Sequence, residues 1–334
     1  MEKEARYYKK LENKKVQCLL CPHTCLIKEN KLGNCNARKN KKGKLISLSY
    51  GKPVAVNIDP IEKKPFFHFY PGEKAYSLGT FGCNFHCKGC QNWDISQRSG
   101  EDASIKKVPP KDIIKRAKDN NCKIIAYTYN EPTVFYEYML ETAKLAKKQG
   151  LKNVIITNGY TNPKPLKELC NFIDGATVDL KFIEDKPYKE YCGAKLKPVL
   201  ESLKIYYNKN VHLEITNLMI ETLNTKEEQI EKMAKWIKEN LDENIPLHLS
   251  RFFPYWKAEG KIEPTKTETM KKAKKICDKY LNFVYLGNIM YENITRCPNC
   301  GKELIKRAMA YIENNLKGNK CDCGFPVYGR FVGL

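Results

Sequence analysis

The feature that most constrains the fold is an alternation, between about residues 75 and 288, of short apolar runs with amphipathic segments of helical period. Most of the apolar runs are continuous rather than alternating, which is typical of strands buried on both faces. Seven runs are strand candidates: residues 75–81, 123–127, 153–157, 176–180, 212–215, 246–249 and 283–286. Repeated β–α units predict a parallel sheet or barrel. We therefore expect an α/β fold built on a partial (β/α)6 TIM-like barrel.

Two of the amphipathic segments have clear apolar stripes at helical spacing. One stripe extends from Val134 to Ala146 and the other from Ile230 to Leu241. Thr225 and Thr265 each begin a capping-box sequence, with an acidic residue three positions later. We expect these two threonines to cap helices.

Polar residues follow almost every predicted strand. The groups are Tyr129, Asn130 and Glu131; Thr157, Asn158 and Gly159; Asp179 and Lys181; Thr216 and Asn217; and Ser250 and Arg251. One such group alone would be ordinary turn chemistry. The carboxyl ends of parallel barrel strands, however, meet at one face, where active sites lie. The five groups therefore predict a ring of ligands around one mouth.

The segments on either side of the alternation are cysteine-rich. We predict a cysteine-rich N-terminal extension with a metal site over residues 1–74 and a partial barrel over residues 75–289. We predict that residues 290–334 form a C-terminal extension similar to a zinc ribbon with four cysteine ligands.

The chain has 59 Lys and Arg against 38 Asp and Glu, an excess of +21 over 334 residues. Such an excess is compatible with a nucleic-acid partner or an anionic substrate. Only eight of the basic residues are Arg, and the lysines alternate with acidic residues on amphipathic helices. This pattern favours a solvated Lys/Glu-rich surface, and a nucleic-acid site stays as the alternative.

Two further features concern the compartment. No apolar run approaches the roughly 18 residues needed to cross a bilayer. The charged N-terminus leads into no apolar signal-peptide core. We expect a cytoplasmic protein with no membrane partner.

Fifteen cysteines are the strongest compositional signal. Because disulfides are disfavoured in the cytosol, clustered thiols there indicate metal. Eleven fall into three groups: Cys18, Cys21, Cys25 and Cys35; Cys83, Cys87 and Cys90; and Cys297, Cys300, Cys321 and Cys323. The isolated Cys122, Cys170, Cys192 and Cys277 are predicted to be small buried core residues.

The central group follows the first barrel strand with the spacing C-x3-C-x2-C. Three thiolates in one short loop can bind a cluster of four irons and leave one iron open for substrate or cofactor. The alternative is an incomplete zinc site that His86 or a distant cysteine completes. The position at the carboxyl end of the first strand favours the cluster.

This motif in this position resembles the radical S-adenosylmethionine (SAM) superfamily. The resemblance implies a 4Fe–4S cluster on Cys83, Cys87 and Cys90 whose open iron binds SAM. It further implies reductive cleavage of SAM to a 5′-deoxyadenosyl radical, which abstracts a hydrogen atom from a partner. The expected fold is then the partial barrel of the radical SAM type.

Within the superfamily, the chain is similar to the activating enzymes of glycyl-radical enzymes, of the pyruvate formate-lyase type. It most resembles the radical SAM enzymes of the AmmeMemoRadiSam system. The stretches that carry the resemblance are residues 18–25, 49–53, 59–65, 82–97, 126–133, 157–159, 179–181 and 250–254. The chain departs from the superfamily pattern at Gly89, where relatives have an aromatic residue that packs near the adenine.

The resemblance also implies roles for the residues after the strands. Asn130 and Glu131 occupy the position of an element that meets the methionyl amino group, for which a carboxylate is a suitable acceptor. The other implied SAM-binding residues are Thr157, Asn158, Asp179 and Lys181. Weaker candidates, which would line the mouth, are Thr216, Asn217, Ser250 and Arg251, and Arg251 is suited to an anionic group of the substrate. The alternative for each is a satisfied polar group at a strand end.

Zinc is the first expectation for both outer groups of four cysteines, and an auxiliary iron–sulfur cluster is the alternative. The C-terminal group has the form of two metal-binding knuckles, with a glycine after each pair. Pairing of cysteines between the two groups is a further alternative that spacing leaves open.

The leading functional hypothesis is an enzyme that generates a radical on a protein or small-molecule partner. The resemblance implies a reductant such as ferredoxin or flavodoxin and partners of the Memo and AMMECR types. One alternative is a radical SAM enzyme that modifies tRNA, and another is a non-catalytic zinc-ribbon protein that binds nucleic acid.

Overall fold

The computed structural model describes residues 2–100, 105–307, 312–316 and 318–331. The strands are β1 (Lys3–Glu4), β2 (Tyr8–Lys10), β3 (Val16–Cys18), β4 (Leu26–Ile27), β5 (Arg38–Lys41), β6 (Lys44–Ser47), β7 (Ala55–Pro60), β8 (Lys74–Gly79), β9 (Ile124–Tyr127), β10 (Lys152–Thr157), β11 (Gly175–Asp179), β12 (His212–Met219), β13 (Leu247–Arg251), β14 (Val284–Gly287), β15 (Thr295–Arg296), β16 (Glu303–Arg307) and β17 (Ile312–Asn314).

The α-helices are α1 (Trp93–Ser96), α2 (Pro110–Asp119), α3 (Tyr136–Lys148), α4 (Pro163–Leu169), α5 (Asp185–Pro187), α6 (Leu196–Asn208), α7 (Glu227–Asn240) and α8 (Thr267–Cys277). Short 3₁₀ helices lie at Ile61–Lys63, Pro132–Phe135 and Trp256–Ala258, and a π-helix lies at Tyr188–Cys192. No helix in the described ranges is both long and apolar enough to span a bilayer.

The centre of the molecule is an eight-stranded sheet in the order β14-β13-β12-β11-β10-β9-β8-β7. Strands β8 to β14 are mutually parallel, and each corresponds to one of the seven predicted strands. Helices follow each of the first six parallel strands, so the predicted α/β partial barrel is confirmed. Strand β7 was not predicted from the sequence, because this antiparallel edge strand is largely exposed and contains no continuous apolar run.

The apolar stripes bury as predicted. Ile230, Met233 and Ile237 are buried on α7, and most of the first stripe is buried on α3 and the preceding 3₁₀ turn. The predicted capping by Thr225 and Thr265 is wrong. The residues at the helix starts are Lys226 and Lys266, without side-chain caps. The hydroxyl of Thr265 donates instead to the carbonyl of Met219, 2.5 Å away.

A buried polar network closes the amino ends of the strands. The carboxylate of Glu214 accepts hydrogen bonds from His212 (3.0 Å), His248 (2.6 Å) and the backbone N–H of His68 (2.8 Å). Burial would raise the pKa of Glu214, but the two imidazole hydrogen bonds outweigh it and hold the pKa below its ordinary value. Because this end is filled, the open side of the sheet is at the carboxyl ends.

The two extensions pack on different parts of the barrel. The N-terminal segment forms the sheets β1-β6-β5 and β2-β3-β4 and is fixed to α3 by a bidentate pair between Arg38 and Glu137, both 1% exposed. The C-terminal sheet β15-β16-β17 shares a core with Phe283 and Tyr285 at the end of the main sheet.

Candidate active site

The loop that holds Cys83, Cys87 and Cys90 begins directly after β8 and ends at α1. Gly82 has φ 82° and donates its N–H to the carbonyl of Ile95 (3.0 Å), which closes residues 82–95 into one compact turn, here called the cysteine loop. A side chain at Gly82 would meet the carbonyl oxygen of Cys35 at 2.3 Å, so only glycine fits there.

The three sulfurs are surrounded by hydrogen-bond donors. Cys83 Sγ accepts from the N–H of Phe85 at 3.3 Å and from Asn158 Nδ2 at 3.9 Å. Cys90 Sγ lies 3.3 Å from the hydroxyl of Ser96. Hydrogen bonds to cluster sulfurs are a normal feature of iron–sulfur sites.

The three sulfurs are less tightly gathered than the four at the C-terminal end. Within the described ranges, the three do not gather around one point as the ligands of one ion do, although they are close enough to repel one another. The ring nitrogens of His86 face Gln97 (2.6 Å) and Asn34 (3.2 Å), so this imidazole is engaged elsewhere than in a zinc site with the three thiols.

Asn130 and Glu131 link the end of β9 to its neighbours. Asn130 donates to the carbonyl of Gly82 (2.8 Å) and accepts from the N–H of Thr80 (2.8 Å), so it braces the entry to the cysteine loop. The carboxylate of Glu131, 4% exposed, accepts hydrogen bonds from Thr133 and from two residues at the carboxyl end of β10. Burial raises the pKa of Glu131, and these hydrogen bonds oppose the rise.

Thr157 and Asn158 connect Glu131 to the cysteine loop. The hydroxyl of Thr157 and the N–H of Asn158 each donate to the Glu131 carboxylate at 2.8 Å. The Asn158 amide then donates to Asn84 Oδ1 (2.8 Å) and towards Cys83. These predicted residues are therefore one buried network beside Cys83.

Asp179 and Lys181 lie on the opposite side of the loop, by Cys87. Their side chains form an ion pair of 2.8 Å. Burial would lower the pKa of Lys181, but Asp179, Cys87 and Cys192 outweigh it and raise the pKa well above its ordinary value. A permanent ammonium thus lies next to one of the three thiols.

The remaining predicted residues lie further along the sheet. Thr216 is paired in register with Asp179, and its buried hydroxyl has no hydrogen-bond partner. Asn217 donates to the carbonyl of Leu180 (2.6 Å). Ser250 bonds to Asn288, and Arg251 Nε donates to the carbonyl of Thr265 (2.7 Å). Their hydrogen bonds go to these neighbours rather than to the cysteine loop.

The sequence analysis assigned no site role to three residues next to the loop: Tyr191, Phe252 and Cys192. A Cβ at Gly89 would lie 2.3 Å from the hydroxyl of Tyr191 and 2.8 Å from the ring of Phe252, so these aromatic groups fill the space of the missing side chain. The Tyr191 hydroxyl is buried and unpartnered. No local pattern could reveal contacts among three such distant positions.

Cys192 is the third such residue. It is buried, as predicted, but it is more than core packing. It hydrogen-bonds to Cys87, which lowers the pKa of Cys87. Its carbonyl also accepts the N–H of His86 at 2.9 Å. The π-helix that ends at Cys192 brings it there, and π-turns are frequent at functional sites.

The four C-terminal cysteines gather tightly. The sulfurs of Cys297, Cys300, Cys321 and Cys323 all lie within 4.8 Å of one another, and two of the pairs are 3.6 Å apart. The backbone N–H of Phe325 is the main cause that lowers the pKa of Cys323 to about 6. This is the only such group of three or more Cys, His, Asp or Glu ligand atoms in the described part of the chain.

Comparison with known proteins agrees with this geometry. Residues 77–237 match the Radical SAM superfamily. An uncharacterised protein of Methanocaldococcus jannaschii is 42% identical over 91% of this chain and 91% of its own length. The pyruvate formate-lyase-activating enzyme of Clostridium pasteurianum is 26% identical over 60% of this chain and 87% of its own length.

Among solved structures, a radical SAM methyltransferase from Sphaerobacter thermophilus has a similar fold. The TM-score is 0.50 at 12% identity, over 65% of this chain and 67% of the methyltransferase. The segment that matches the superfamily, residues 77–237, contains the cysteine loop and the polar residues at the ends of β9, β10 and β11. The chain belongs to the radical SAM superfamily.

Proposed function

We propose that the protein binds a 4Fe–4S cluster through Cys83, Cys87 and Cys90 and cleaves SAM reductively to abstract hydrogen from a partner. The observation that carries this proposal is the cysteine loop itself: three separated thiols, each near a donor or a cation, at the carboxyl ends of the parallel strands. The bound cluster and SAM would supply a 5′-deoxyadenosyl radical.

The neighbouring residues are proposed to hold SAM and to fix the loop. The buried carboxylate of Glu131 is fixed by hydrogen bonds from Thr133, Thr157 and Asn158, and a carboxylate is a strong acceptor for the SAM ammonium. Lys181 supplies a positive charge for the SAM carboxylate. Tyr191 and Phe252 supply the aromatic wall that Gly89 lacks.

We further propose that the radical is delivered to a protein; the clostridial relative is named as an enzyme that activates another enzyme, pyruvate formate-lyase. Exposed aromatic side chains support a protein partner. Trp93, near the end of the cysteine loop, is 44% exposed and stacks with Trp256 at a centroid distance of 6.3 Å. Phe253 and Tyr255, which follow β13, are also exposed. Exposed apolar groups of this kind mark interaction surfaces.

More specifically, we propose that the protein partners are similar to the Memo and AMMECR proteins of the AmmeMemoRadiSam system. A low-potential carrier such as ferredoxin or flavodoxin would supply the electron. The cytoplasm is the compartment in which thiols stay free to bind the metals.

The C-terminal group is proposed to be a structural zinc site. Four sulfurs at about 2.3 Å from one zinc ion lie roughly 3.8 Å apart, which is close to the 3.6 Å pairs here. Four thiolates leave no open position for a substrate. The group lies beside the core shared by β14 and β16 rather than at the cysteine loop.

The test is anaerobic reconstitution followed by reduction with dithionite in the presence of SAM. Formation of 5′-deoxyadenosine is expected, and deuterium transfer into it from a labelled candidate protein identifies the target. An iron-free protein with no SAM cleavage would refute the proposal. Salt-sensitive tRNA binding, with deuterium transfer from tRNA instead, would favour the tRNA-modifying alternative.

A further inference from the structure

The main sheet is open, and its edge strand β14 is capped by side chains of the chain itself. The side-chain amide of Asn293 accepts from the N–H of Leu286 at 3.0 Å and donates to the carbonyl of the same residue at 2.8 Å, as a neighbouring strand would. Lys274 donates to the carbonyl of Val284 at 2.8 Å. The backbone groups of these two β14 residues are therefore already bound.

The other edge strand, β7, has backbone groups that point away from the sheet. The N–H of Ile61 donates to the carbonyl of Glu73 at 2.9 Å, and antiparallel pairs alternate between hydrogen-bonded and non-hydrogen-bonded. Asn57 therefore directs its N–H and C=O at β8, whereas Val56 and Ile58 direct theirs away from it. In the described part of the chain, no hydrogen bond reaches the N–H of Val56 or of Ile58.

The edge at β7 also exposes apolar side chains. Val56 pairs with Leu78 and Ile58 pairs with Tyr76, so both lie on the face of the sheet that packs on the helices. Leu78 and Tyr76 are buried there, but Val56 is 37% and Ile58 is 42% exposed. Proteins commonly protect such an edge with Lys or Pro, because it pairs readily with another chain. Of these residues, β7 has only Pro60, at its end.

The opposite face of β7 leads to the candidate active site. Asn57 alternates with the two exposed apolar residues and so faces the barrel interior, where its amide donates to the hydroxyl of Tyr129 at 3.1 Å. The carbonyl of Tyr129 accepts from Asn92 of the cysteine loop at 2.8 Å. Ala55, the first residue of β7, pairs with Gly79, the last residue of β8 before the cysteine loop. Strand β7 therefore begins at the mouth of the barrel.

The backbone of Tyr129 is strained at this connection. Its φ of 70° is a left-handed conformation, which is costly for an aromatic residue and is concentrated at functional sites. The residue directly precedes Asn130 and Glu131 at the end of β9. The strain is therefore located where the interior face of β7 meets the predicted SAM-binding residues.

An extended polypeptide segment fits this edge. The outward N–H and C=O groups two residues apart match the main-chain groups of an added strand, whose alternate side chains then lie on opposite faces of the sheet. Side chains beside Val56 and Ile58 are expected to be apolar. The side chains between them lie beside Asn57 and enter the barrel interior, near the mouth.

We propose that an extended segment of the substrate protein pairs with β7 as an additional strand and thereby presents its target residue to the cysteine loop. That the occupant is a substrate protein rests on the proposed function, whereas the mode of binding rests on the edge itself. Main-chain hydrogen bonds supply the affinity, and the alternation of apolar and interior-facing residues supplies the specificity.

Selection from a display library of random peptides on the anaerobically reconstituted full chain tests the edge without requiring SAM cleavage. Peptides that bind the wild type and not Ile58→Pro should share alternating apolar residues. This substitution removes an outward N–H and no hydrogen bond of the sheet, a position at which edge strands tolerate proline. A synthetic copy of a selected peptide should slow amide hydrogen exchange in the segment that contains Val56 and Ile58.

Methylation of the peptide backbone tests the pairing on the unmodified protein, so it does not depend on how any variant folds. Methylating the alternate nitrogens that face β7 should weaken binding about tenfold or more, whereas methylating the other set should leave it unchanged. Equal effects of the two sets would overturn the proposal, as would a library that yields no peptide dependent on β7.

A matched pair of side-chain variants tests the apolar contacts. Val56→Lys should lose peptide binding, and Leu145→Lys on α3, where the side chain is 38% exposed, should keep it. The selected peptide should also inhibit deuterium transfer from the partner protein into 5′-deoxyadenosine. Transfer that excess peptide leaves unchanged would overturn the proposal, as would a dimer of this chain that Val56→Lys dissociates. Peptide binding by a protein that fails to cleave SAM would refute only the proposed function.

Discussion

The two ends of the chain each contribute four cysteines, and the structure treats them differently. At the C-terminal end, the sulfurs lie within 4.8 Å of one another, and Cys300 and Cys323 are exposed. Near the N-terminus, the described residues show no such tight group for Cys18, Cys21, Cys25 and Cys35, of which Cys18 is buried and the other three are half-buried. The two ends have the same number and type of candidate ligands, so the difference between them lies in how the fold positions the four sulfurs.

The difference extends to what each group supports. The N-terminal extension contacts the cysteine loop through Cys35 and His23. The C-terminal group belongs to a separate core with Leu304 and Val327. We infer that changes in the N-terminal extension disturb the candidate active site, whereas loss of metal at the C-terminal end mainly costs stability.

The largest expected effect comes from substitutions in the cysteine loop, which leave the cysteines at both ends of the chain unchanged. Changing any one of Cys83, Cys87 and Cys90 to Ala should abolish reductive SAM cleavage, because three thiolates are the minimum for this cluster. The measurement is 5′-deoxyadenosine formed per chain under dithionite. The zinc content serves as the folding control and should not change. Normal cleavage by the triple variant would contradict the assignment.

The next largest effect is expected from removing two of the four C-terminal cysteines. Cys297→Ser with Cys300→Ser should release zinc and cost several kcal/mol of stability, because metal-binding free energy at a structural site is folding free energy. Chemical denaturation and zinc analysis measure the two losses. SAM cleavage per folded chain should stay within about twofold of the wild type. A folded variant that cannot cleave SAM would show that the site is more than structural.

A third test uses one ion pair from each end. Arg38→Met leaves the buried carboxylate of Glu137 uncompensated and should cost about 3–5 kcal/mol. Lys302→Met removes an exposed pair with Asp322 beside the C-terminal cysteines and should leave the free energy of unfolding nearly unchanged, because water and salt screen such a pair. Denaturation of both holoproteins measures the two effects. Equal costs would contradict the different roles assigned to the two environments.

The smallest expected effect separates SAM binding from cluster binding. Glu131→Gln weakens the acceptor at the centre of the network that joins Thr157 and Asn158 to Cys83, and it removes the charge proposed to meet the SAM ammonium. Loss of one charged hydrogen bond is worth about 1.5–3 kcal/mol, so SAM should bind roughly 10- to 100-fold more weakly. The iron content should not change.

The matched control for this variant is Glu141→Gln. Glu141 is a carboxylate on α3 that is hydrogen-bonded by Tyr50 and Lys3, away from the cysteine loop. Its substitution should leave SAM affinity unchanged. Equal affinities for SAM in the Glu131 variant and the wild type would remove Glu131 from the proposed site.

The parallel strands could be predicted because strands buried on both faces are written as continuous apolar runs. The same rule explains the failure at Ala55–Pro60, an exposed edge strand that pairs antiparallel. The capping prediction at Thr265 was wrong because its hydroxyl donates a hydrogen bond to the carbonyl of Met219, which is distant in sequence, and not to the start of the helix. Local sequence patterns predict elements that are buried along their whole length. They fail where a contact with a residue distant in sequence determines the local structure.

The candidate site shows the same limit. Residues directly after strands could be named from sequence, because the fold places strand ends together. The contacts of Gly89 with Tyr191 and Phe252, and of Cys87 with Cys192, depend on a π-helix and on chain segments far apart in sequence. The sulfur separations that distinguish the two outer groups are likewise set by tertiary packing, so cysteine spacing left both metals open.

The central claim is that the cysteine loop, unlike either end of the chain, leaves one iron open for SAM. Electron–nuclear double resonance on the reduced protein, with SAM isotope-labelled at its amino and carboxylate groups, measures this directly. The account predicts magnetic coupling of both labelled groups to iron in the wild type and none in the variant with Cys83, Cys87 and Cys90 changed to Ala. No coupling in a wild type that contains its full iron would contradict it.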